Sequence, residues 1–376
     1  MQVFYTSPWV PAEWIKAHAL EPRGVWFAKN LWLDSLPLSA GVCAFAEAVV
    51  CFAQAQADSA VVFTTTCDQL RRGFDCLPET SRSRVFLFNL PATWQTPAAQ
   101  RIYRSELERL GRFLQDLGGG VPAPHVLARE MAHYGQCRSR LLDAAPSCSS
   151  RDFAEAVARF HWDGSLHLPT RSAAPPPNTV PLALVGGPLS AIRWSLLDVV
   201  EALGGRVVLN ATEAGERSLL PHFALDDSFH EPQGRARHSA RAVGKNQNAS
   251  VANRGAQRTD APYQGNRFTA QSCASTGVAP VDDPFNVLAR GYFENIVDVF
   301  QRPNTRLYAW LKDRLAARNV RGIVLWHFTG CDLWRAEAQT LRETFGLPLL
   351  LLEADEAQNC SPRDVGRIQA FVETLQ

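Results

Sequence analysis

Residues 60–72 have the sequence AVVFTTTCDQLRR, in which an apolar run is followed by three threonines, a cysteine and an aspartate. Continuous apolar residues of this length, bounded by polar ones, predict a β-strand that is buried on both faces. Either Thr66 or Asp68 is expected to cap the helix that follows. Cys67 is therefore predicted to lie where a strand ends and a helix begins, which is the edge where ligands bind in open α/β sheets.

A second cysteine occurs in the same setting. Residues 322–328, GIVLWHF, form another apolar run, and the pair Cys331-Asp332 follows it after a threonine and a glycine. The chain thus has two Cys-Asp pairs, each at a predicted strand end and one in each half. This repetition is the main indication of a functional site.

The overall composition excludes several classes of protein. Among the 376 residues, 38 Lys and Arg balance 37 Asp and Glu, for a net charge of +1. This balance argues against a nucleic-acid-binding or membrane-surface protein. No apolar run reaches the roughly 18 residues that a membrane span needs, and the start, MQVFYTSPW, lacks the features of a signal peptide. We therefore expect a cytoplasmic protein without nucleic-acid or membrane partners.

The chain has nine cysteines. In a cytoplasmic protein this number favours metal, cluster or redox use over a disulfide framework. Cys43 is the strongest candidate for a third thiol beside Cys67 and Cys331, because it begins a predicted alanine-rich helix. A helix N-terminus lowers the pKa of a thiol and so favours the thiolate that metals require. Most of the other cysteines are expected to be inert core residues.

The predicted strands and helices alternate along the chain, which is typical of α/β proteins with parallel sheets covered on both faces. We predict two doubly wound domains whose strand-end loops face a shared cleft. The N-terminal domain is assigned to residues 1–167, a proline-rich linker to 168–180 and the C-terminal domain to 181–376. Residues 232–275, which are polar and lack periodicity, are predicted to form a disordered insertion in the second domain.

Several segments resemble one known family. They are VPAEWIKAHAL at 10–20, TTTCDQLRR at 64–72, GGPLS at 186–190, ALGGRVVLN at 202–210, RGIVLWHFTGCD at 321–332 and GLPLLLLEAD at 346–355. These segments look like the 2-hydroxyacyl-CoA dehydratase and benzoyl-CoA reductase family, specifically its smaller, cluster-bearing subunit. The resemblance covers most of the chain outside the predicted insertion.

The resemblance implies two flavodoxin-like domains with an iron–sulfur cluster between them. By motif match, the ligands of this [4Fe–4S] cluster fall on Cys43, Cys67 and Cys331. Thiolate ligation of such clusters suits the softness of both partners. The resemblance also implies low-potential one-electron chemistry on a CoA thioester, which leads to loss of a hydroxyl group or to reduction of an aromatic ring.

The partners that the resemblance implies are a homologous larger subunit in a heterodimer, or a second copy in a homodimer. An ATP-dependent iron–sulfur activator would deliver the electron, and an acyl-CoA would be the substrate. The chain has no P-loop motif, in agreement with ATP being used by another protein. Two alternatives stay open: a non-catalytic scaffold that has lost the cluster, and a homodimeric reductase of small molecules whose two clusters join as a double cubane.

Other candidate residues are less specific. Glu13 is a candidate acid or base, although a carboxylate at a helix N-terminus is also ordinary. Ser190 lies in the GGPLS turn of a predicted strand–helix–strand unit at 182–185, 192–203 and 206–209, where it would either bind phosphate or CoA or cap the helix. Zinc bound by the three cysteines and His327 is a chemical alternative to the cluster.

Overall fold

The computed structural model describes residues 1–28, 31, 41–170, 178–223, 283–354 and 360–376. Residues Met1–Phe229 and Asp282–Gln376 form one compact unit, and a second unit comprises His230–Val281. The second unit, the predicted insertion at 232–275 and most of the predicted linker lie outside the described residues.

The first sheet has four parallel strands in the order β2-β1-β3-β4. These strands are β1 (Gln2–Tyr5), β2 (Glu21–Gly24), β3 (Ser59–Thr64) and β4 (Val85–Phe88). Every residue of β3 is buried, as its apolar sequence predicts. The β2 strand, EPRG, was not predicted, because it is short and polar and contains a proline. It lies at the edge of the sheet, where a missing N–H group is tolerated.

Six helices accompany this sheet: α1 (Ala12–Ala17), α2 (Ala44–Ala55), α3 (Asp68–Asp75), α4 (Pro97–Asp116), α5 (Pro124–Ala144) and α6 (Ser150–Asp163). In α4 the buried side chains include Tyr103, Leu107, Leu110 and Leu114, which are four, three and four residues apart. Thr96 caps the helix by accepting the N–H of Ala99 at 3.2 Å. The 3.6-residue period thus places one face of α4 against the core.

The second sheet repeats the same topology. Its strands are β5 (Val180–Gly186), β6 (Gly205–Thr212), β7 (Gly322–Phe328) and β8 (Leu349–Ala354), all parallel and in the order β6-β5-β7-β8. Helices α7 (Ser195–Ala202), α9 (Thr305–Ala317), α10 (Asp332–Phe345) and α11 (Pro362–Leu375) accompany this sheet, whereas α8 (Pro284–Asn295) packs against α4 and α5. Each sheet has the strand order of flavodoxin-like folds, so the predicted fold class is confirmed.

The core continues from one sheet to the other. Along β7, Val324 and Trp326 belong to a hydrophobic cluster that also contains Val3 of the first sheet. Ile323 and Leu325 belong to a second cluster on the other face. This alternation shows that the second sheet is covered on both faces, as expected for parallel strands. The assignment of separate domains to 1–167 and 181–376 stays a prediction.

The topology fixes where a ligand site is expected. β3 and β7 hold the same place in their sheets. In each sheet the chain places its second strand on one side of the first strand and its third strand, β3 or β7, on the other side. In sheets of this type, ligands bind at the carboxyl ends of the strands beside the point where the strand order reverses in this way. None of the described helices combines the length and the apolar character needed to cross a bilayer.

Candidate metal centre

The threonines after β3 shape the loop that carries Cys67. The hydroxyl groups of Thr64 and Thr66 are hydrogen-bonded at 2.9 Å. The hydroxyl oxygen of Thr65 accepts the N–H of Leu90 at 2.9 Å and so ties the loop to the end of the neighbouring strand. Threonine hydroxyls that bond locally stabilise such turns, which accounts for three of them preceding the cysteine.

Cys67 itself is the N-cap of α3, so the prediction that Thr66 or Asp68 caps this helix was wrong. The sulfur atom accepts the N–H of Leu70 at 3.5 Å, and the Cys67 carbonyl accepts the N–H of Arg71 at 3.3 Å. A thiol is a weak acceptor, and capping preferences therefore overlook it. Asp68 is the first residue of the helix, where its charge is favourable.

The other two predicted thiols occupy the same position on their helices. Cys43 is the N-cap of α2, and its carbonyl accepts the N–H of Glu47 at 3.0 Å. Cys331 is the N-cap of α10, and its carbonyl accepts the N–H of Arg335 at 3.2 Å. Before it, Gly330 has a φ of +82°, a left-handed conformation that favours glycine. Each thiol therefore lies at the N-terminus of a helix.

The structure brings the three cysteines together. Cys43, Cys67 and Cys331 line one cavity of about 140 Å³. Gln69 on α3 accepts the N–H of Cys43 at 2.9 Å, and a Cβ atom at Gly330 would lie 3.8 Å from the Cβ of Cys43. The loops from the two sheets are therefore in contact around the cavity. The other cysteines that the structure describes do not line it: Cys51, Cys76, Cys137, Cys148 and Cys360.

Burial and helix termini act in opposite directions on these thiols. Burial raises the pKa of Cys43 and Cys67, and it raises the pKa of Cys331 to about 12. The N–H groups of the first helical turns, such as those of Leu70 and Trp334, lower each pKa. Burial is the largest of these effects, so the unligated thiols are neutral at neutral pH. Three helix N-termini pointing at one cavity favour an anionic occupant.

Three cysteine thiols are donors of the type that holds iron–sulfur clusters. Among the described residues, no group of three or more His, Cys, Asp or Glu is arranged to hold one metal ion. His327, the fourth ligand of the zinc alternative, does not line the cavity. It is fully buried, and its Nδ1 is hydrogen-bonded to the carbonyl of Phe328 at 2.9 Å.

The family model for the 2-hydroxyglutaryl-CoA dehydratase D-component matches residues 9–234 and 252–375, which include all three cavity cysteines. The chain belongs to this family. The predicted resemblance is thus confirmed, and with it the general kind of enzyme, a component of a 2-hydroxyacyl-CoA dehydratase. No individual curated protein matches the chain.

In this D-component family member, the aromatic side chains of Phe45, Phe328 and Trp334 form part of the apolar wall of the cavity. The rings of Phe45 and Phe328 stack with centroids 6.0 Å apart and planes at 19°. Phe45 lies in the first turn of α2 and Phe328 ends β7, so this pair links a helix of the first half to the second sheet. Trp334 is buried and lies under the guanidinium of Arg217, 4.8 Å from the ring centroid. Apolar walls lower the local dielectric constant and so strengthen electrostatic effects.

Two carboxyl groups in the cavity wall, those of Glu213 and Asp298, were not predicted from the sequence. Glu213 directly follows β6, and Asp298 lies in the segment between α8 and α9. The predicted strand at 206–209 ended three residues before the observed end at Thr212. If the strand had been predicted to end at Thr212, Glu213 would have been a candidate site residue, because residues that follow a strand line ligand sites in such sheets.

The two carboxyl groups are in different environments. Arg217 donates to Asp298 at 3.0 Å in a buried ion pair. Burial, followed by the charge of Asp298, raises the pKa of Glu213 to about 8, although Arg217 and the Ser7 hydroxyl act to lower it. A carboxyl group with a raised pKa in a ligand cavity is a candidate acid or base.

Glu13 and Ser190 do not line the cavity. Glu13 is fully buried, where it pairs with Arg138 and accepts the hydroxyl of Tyr292 at 2.6 Å. Ser190 is also buried, and only Gly187 and Pro188 of its turn reach the cavity wall. The following helix, α7, begins at Ser195 rather than at the predicted residue 192, so the glycine turn does not lead directly into its N-terminus.

Proposed function

We propose that this chain is the iron–sulfur component of a 2-hydroxyacyl-CoA dehydratase or a benzoyl-CoA reductase-like enzyme. Cys43, Cys67 and Cys331 would bind a [4Fe–4S] cluster. The observation that supports this most directly is that the three thiols, carried by both sheets, line one cavity. Three protein ligands leave one iron free for a substrate oxygen or another ligand.

The residues around the cavity have defined tasks in this proposal. When bound, the cluster supplies low-potential electrons, one at a time, for chemistry on a CoA thioester. In the first turn of α3, the N–H of Leu70 donates a hydrogen bond to the sulfur of Cys67 at 3.5 Å, and the N–H of Trp334 in the first turn of α10 lowers the pKa of Cys331, so both stabilise negative charge. Phe45 and Phe328 limit access of water, which helps to set the reduction potential.

Partners follow from the same proposal. An ATP-dependent activator with its own cluster would deliver the electron, since this chain has no P-loop. A homologous larger subunit, or a second copy of this chain, would complete the enzyme. The acyl-CoA substrate would bind with its reacting end in the thiol-lined cavity.

Iron and acid-labile sulfide analysis of anaerobically purified protein tests the proposal. We expect about four iron atoms per chain, as in a [4Fe–4S] cluster. Cys67→Ala and Cys331→Ala should each abolish iron binding. The control variant is Cys148→Ala, because Cys148 is buried but does not line the cavity. This control should retain the iron of the wild type.

The absence of iron from wild-type protein after anaerobic reconstitution would contradict the proposal. The scaffold alternative would then be the better interpretation. Iron that is lost equally in all three variants would point to general destabilisation and would also count against the assigned ligands.

A further inference from the structure

The cavity wall contains a carboxyl group that the thiol ligation does not use. Glu213 follows β6 at the carboxyl edge of the second sheet, and its N–H donates to the carbonyl of Gly187 at 3.4 Å. Gly187, Cys67 and Cys331 line the same cavity. Glu213 also interacts electrostatically with both cysteines. Its side chain is therefore part of the thiol-lined site.

Glu213 has no basic partner of its own among the described residues, because the nearby Arg217 pairs with Asp298. Asp298 accepts from Arg217 at 3.0 Å and from the N–H of Phe300 at 3.1 Å. The guanidinium of Arg217 also donates to the carbonyl of Gly186 at 3.0 Å. No described Lys, Arg or His forms an ion pair with Glu213. Two carboxyl groups that share one cation favour ionisation of one of them and protonation of the other.

We propose that Glu213 is the proton donor of this cavity. It takes up a proton when negative charge enters the cavity and transfers that proton to the oxygen that leaves the bound substrate. This inference rests on the proposed function. It assigns an acid to a reaction for which the cysteines supply only metal ligation.

The proton from Glu213 and the hydroxyl group that leaves the substrate together form one water molecule. The C–O bond of the reduced thioester breaks, and its electron pair stays with the hydroxyl oxygen. Glu213 gives its proton to this oxygen, so that water leaves and Glu213 becomes a carboxylate. The electron that reduces the thioester comes from the low-potential donor; the substrate radical then loses a proton from the neighbouring carbon to solvent and returns the electron to the donor, while solvent returns a proton to Glu213.

The charged surroundings of Glu213 agree with this role. Burial and Asp298 raise its pKa to about 8, so both forms are accessible near neutral pH and added negative charge in the cavity shifts the group towards the protonated form. A donor near the operating pH is the most effective. The titratable and charged groups that face it or share its cavity are Asp298, Arg217, Cys43, Cys67, Cys331, Asp68 and Asp332.

Redox titrations of the iron-loaded protein, followed by electron paramagnetic resonance at several pH values, test this inference without substrate. If reduction draws a proton onto Glu213, the midpoint potential falls as the pH rises above the pKa of the oxidised state. The midpoint potential then changes by at most about 59 mV for each tenfold change in proton concentration. Glu213→Gln should remove this dependence. Glu343→Gln on the exposed face of α10 is the matched control and should keep it.

The outcomes separate the two proposals. Wild-type protein without iron would contradict the proposed function itself. Equal iron in wild type and Glu213→Gln, with the same pH dependence, would overturn only the role of Glu213. Glu213→Ala serves as a second variant if the glutamine variant does not load iron, and it should also lose the dependence.

A kinetic measurement extends the test to the leaving oxygen. With 2-hydroxyglutaryl-CoA as the probe, Glu213→Gln should lower kcat by about 10²–10⁴-fold, the usual contribution of a general acid. We also expect kcat of the wild type to fall as the pH rises through about 8, and Glu213→Gln should remove this dependence. An unchanged kcat in an active, iron-loaded variant would exclude proton donation by Glu213.

Discussion

At the scale of single residues, the carboxyl groups of Glu13 and Glu213 have different surroundings. Glu13 and Arg138 are both buried and form an ion pair, and the Tyr292 hydroxyl lies between them, donating to Glu13 and accepting from Arg138 at 2.7 Å. Every oxygen of Glu13 thus has a partner. In the cavity, by contrast, Glu213 has no described cation as partner. The first arrangement holds the fold, and the second is suited to proton exchange.

Glu13→Gln should therefore be a stability variant. It leaves the guanidinium of Arg138 buried without a counter-charge, which costs about 3–5 kcal/mol. Tyr292→Phe removes only one hydroxyl and should cost about 1–2 kcal/mol. Guanidinium unfolding curves measure both changes. A Glu13→Gln variant as stable as Tyr292→Phe would show that the ion pair contributes little.

At the scale of elements, one glycine controls how β7 leads into α10. The left-handed φ of +82° at Gly330 turns the chain so that Cys331 can begin the helix beside Cys43. A residue with a Cβ atom in this conformation is strained by about 1–2 kcal/mol. The strain would fall on the loop that places a thiol in the cavity.

We expect Gly330→Ala to lower both the free energy of unfolding and the retention of iron. The matched control is Gly366→Ala in α11, where the glycine is exposed and a Cβ atom would meet nothing within 4 Å. That substitution should stabilise the protein by about 0.5–1 kcal/mol, since alanine favours helix. Equal effects at the two sites would contradict the role assigned to the left-handed turn.

The strands of the sheets were largely predictable because burial on both faces leaves a continuous apolar sequence. This holds for β3 and β7, and the cysteines follow these strands directly. The edge strand β2 carries no such signal, since its sequence EPRG is polar. Edge strands need less apolar surface, and their pairing is decided by the neighbouring strand.

The site was predictable only in part. Motif position indicated three cysteines, and the structure places them at one cavity. The N-cap role of Cys67 was missed because sulfur is not a usual cap. Asp298 was missed because it belongs to no strand end and reaches the cavity through tertiary packing with Arg217. No local pattern predicts such a contact.

At the scale of the whole molecule, the two halves depend on each other. One hydrophobic cluster contains Val3 from the first strand and Leu375 from the last helix. Tyr292, from the second half, binds the Glu13–Arg138 pair of the first half. The indole N–H of Trp94 donates to the carbonyl of Pro303 at 2.7 Å. The halves share buried polar contacts as well as apolar surface.

We therefore expect that fragments 1–170 and 178–376 will not fold separately but will associate when they are produced together. Each alone would expose the apolar surface that the other covers and would leave buried polar groups without partners. Near-ultraviolet circular dichroism and size-exclusion chromatography measure this. A fragment 1–170 with a cooperative unfolding transition of its own would show that the N-terminal domain predicted at 1–167 is independent.

Under the proposed function, the raised pKa values of the cavity thiols have a consequence for iron binding. Cys43, Cys67 and Cys331 would each have to lose a proton to bind metal, because burial keeps them neutral beforehand. Loading would then acidify a weakly buffered solution, and mild acid would work against the metal by returning those protons. Assembly of the proposed cluster would in this sense be an acid–base reaction that alkaline conditions favour.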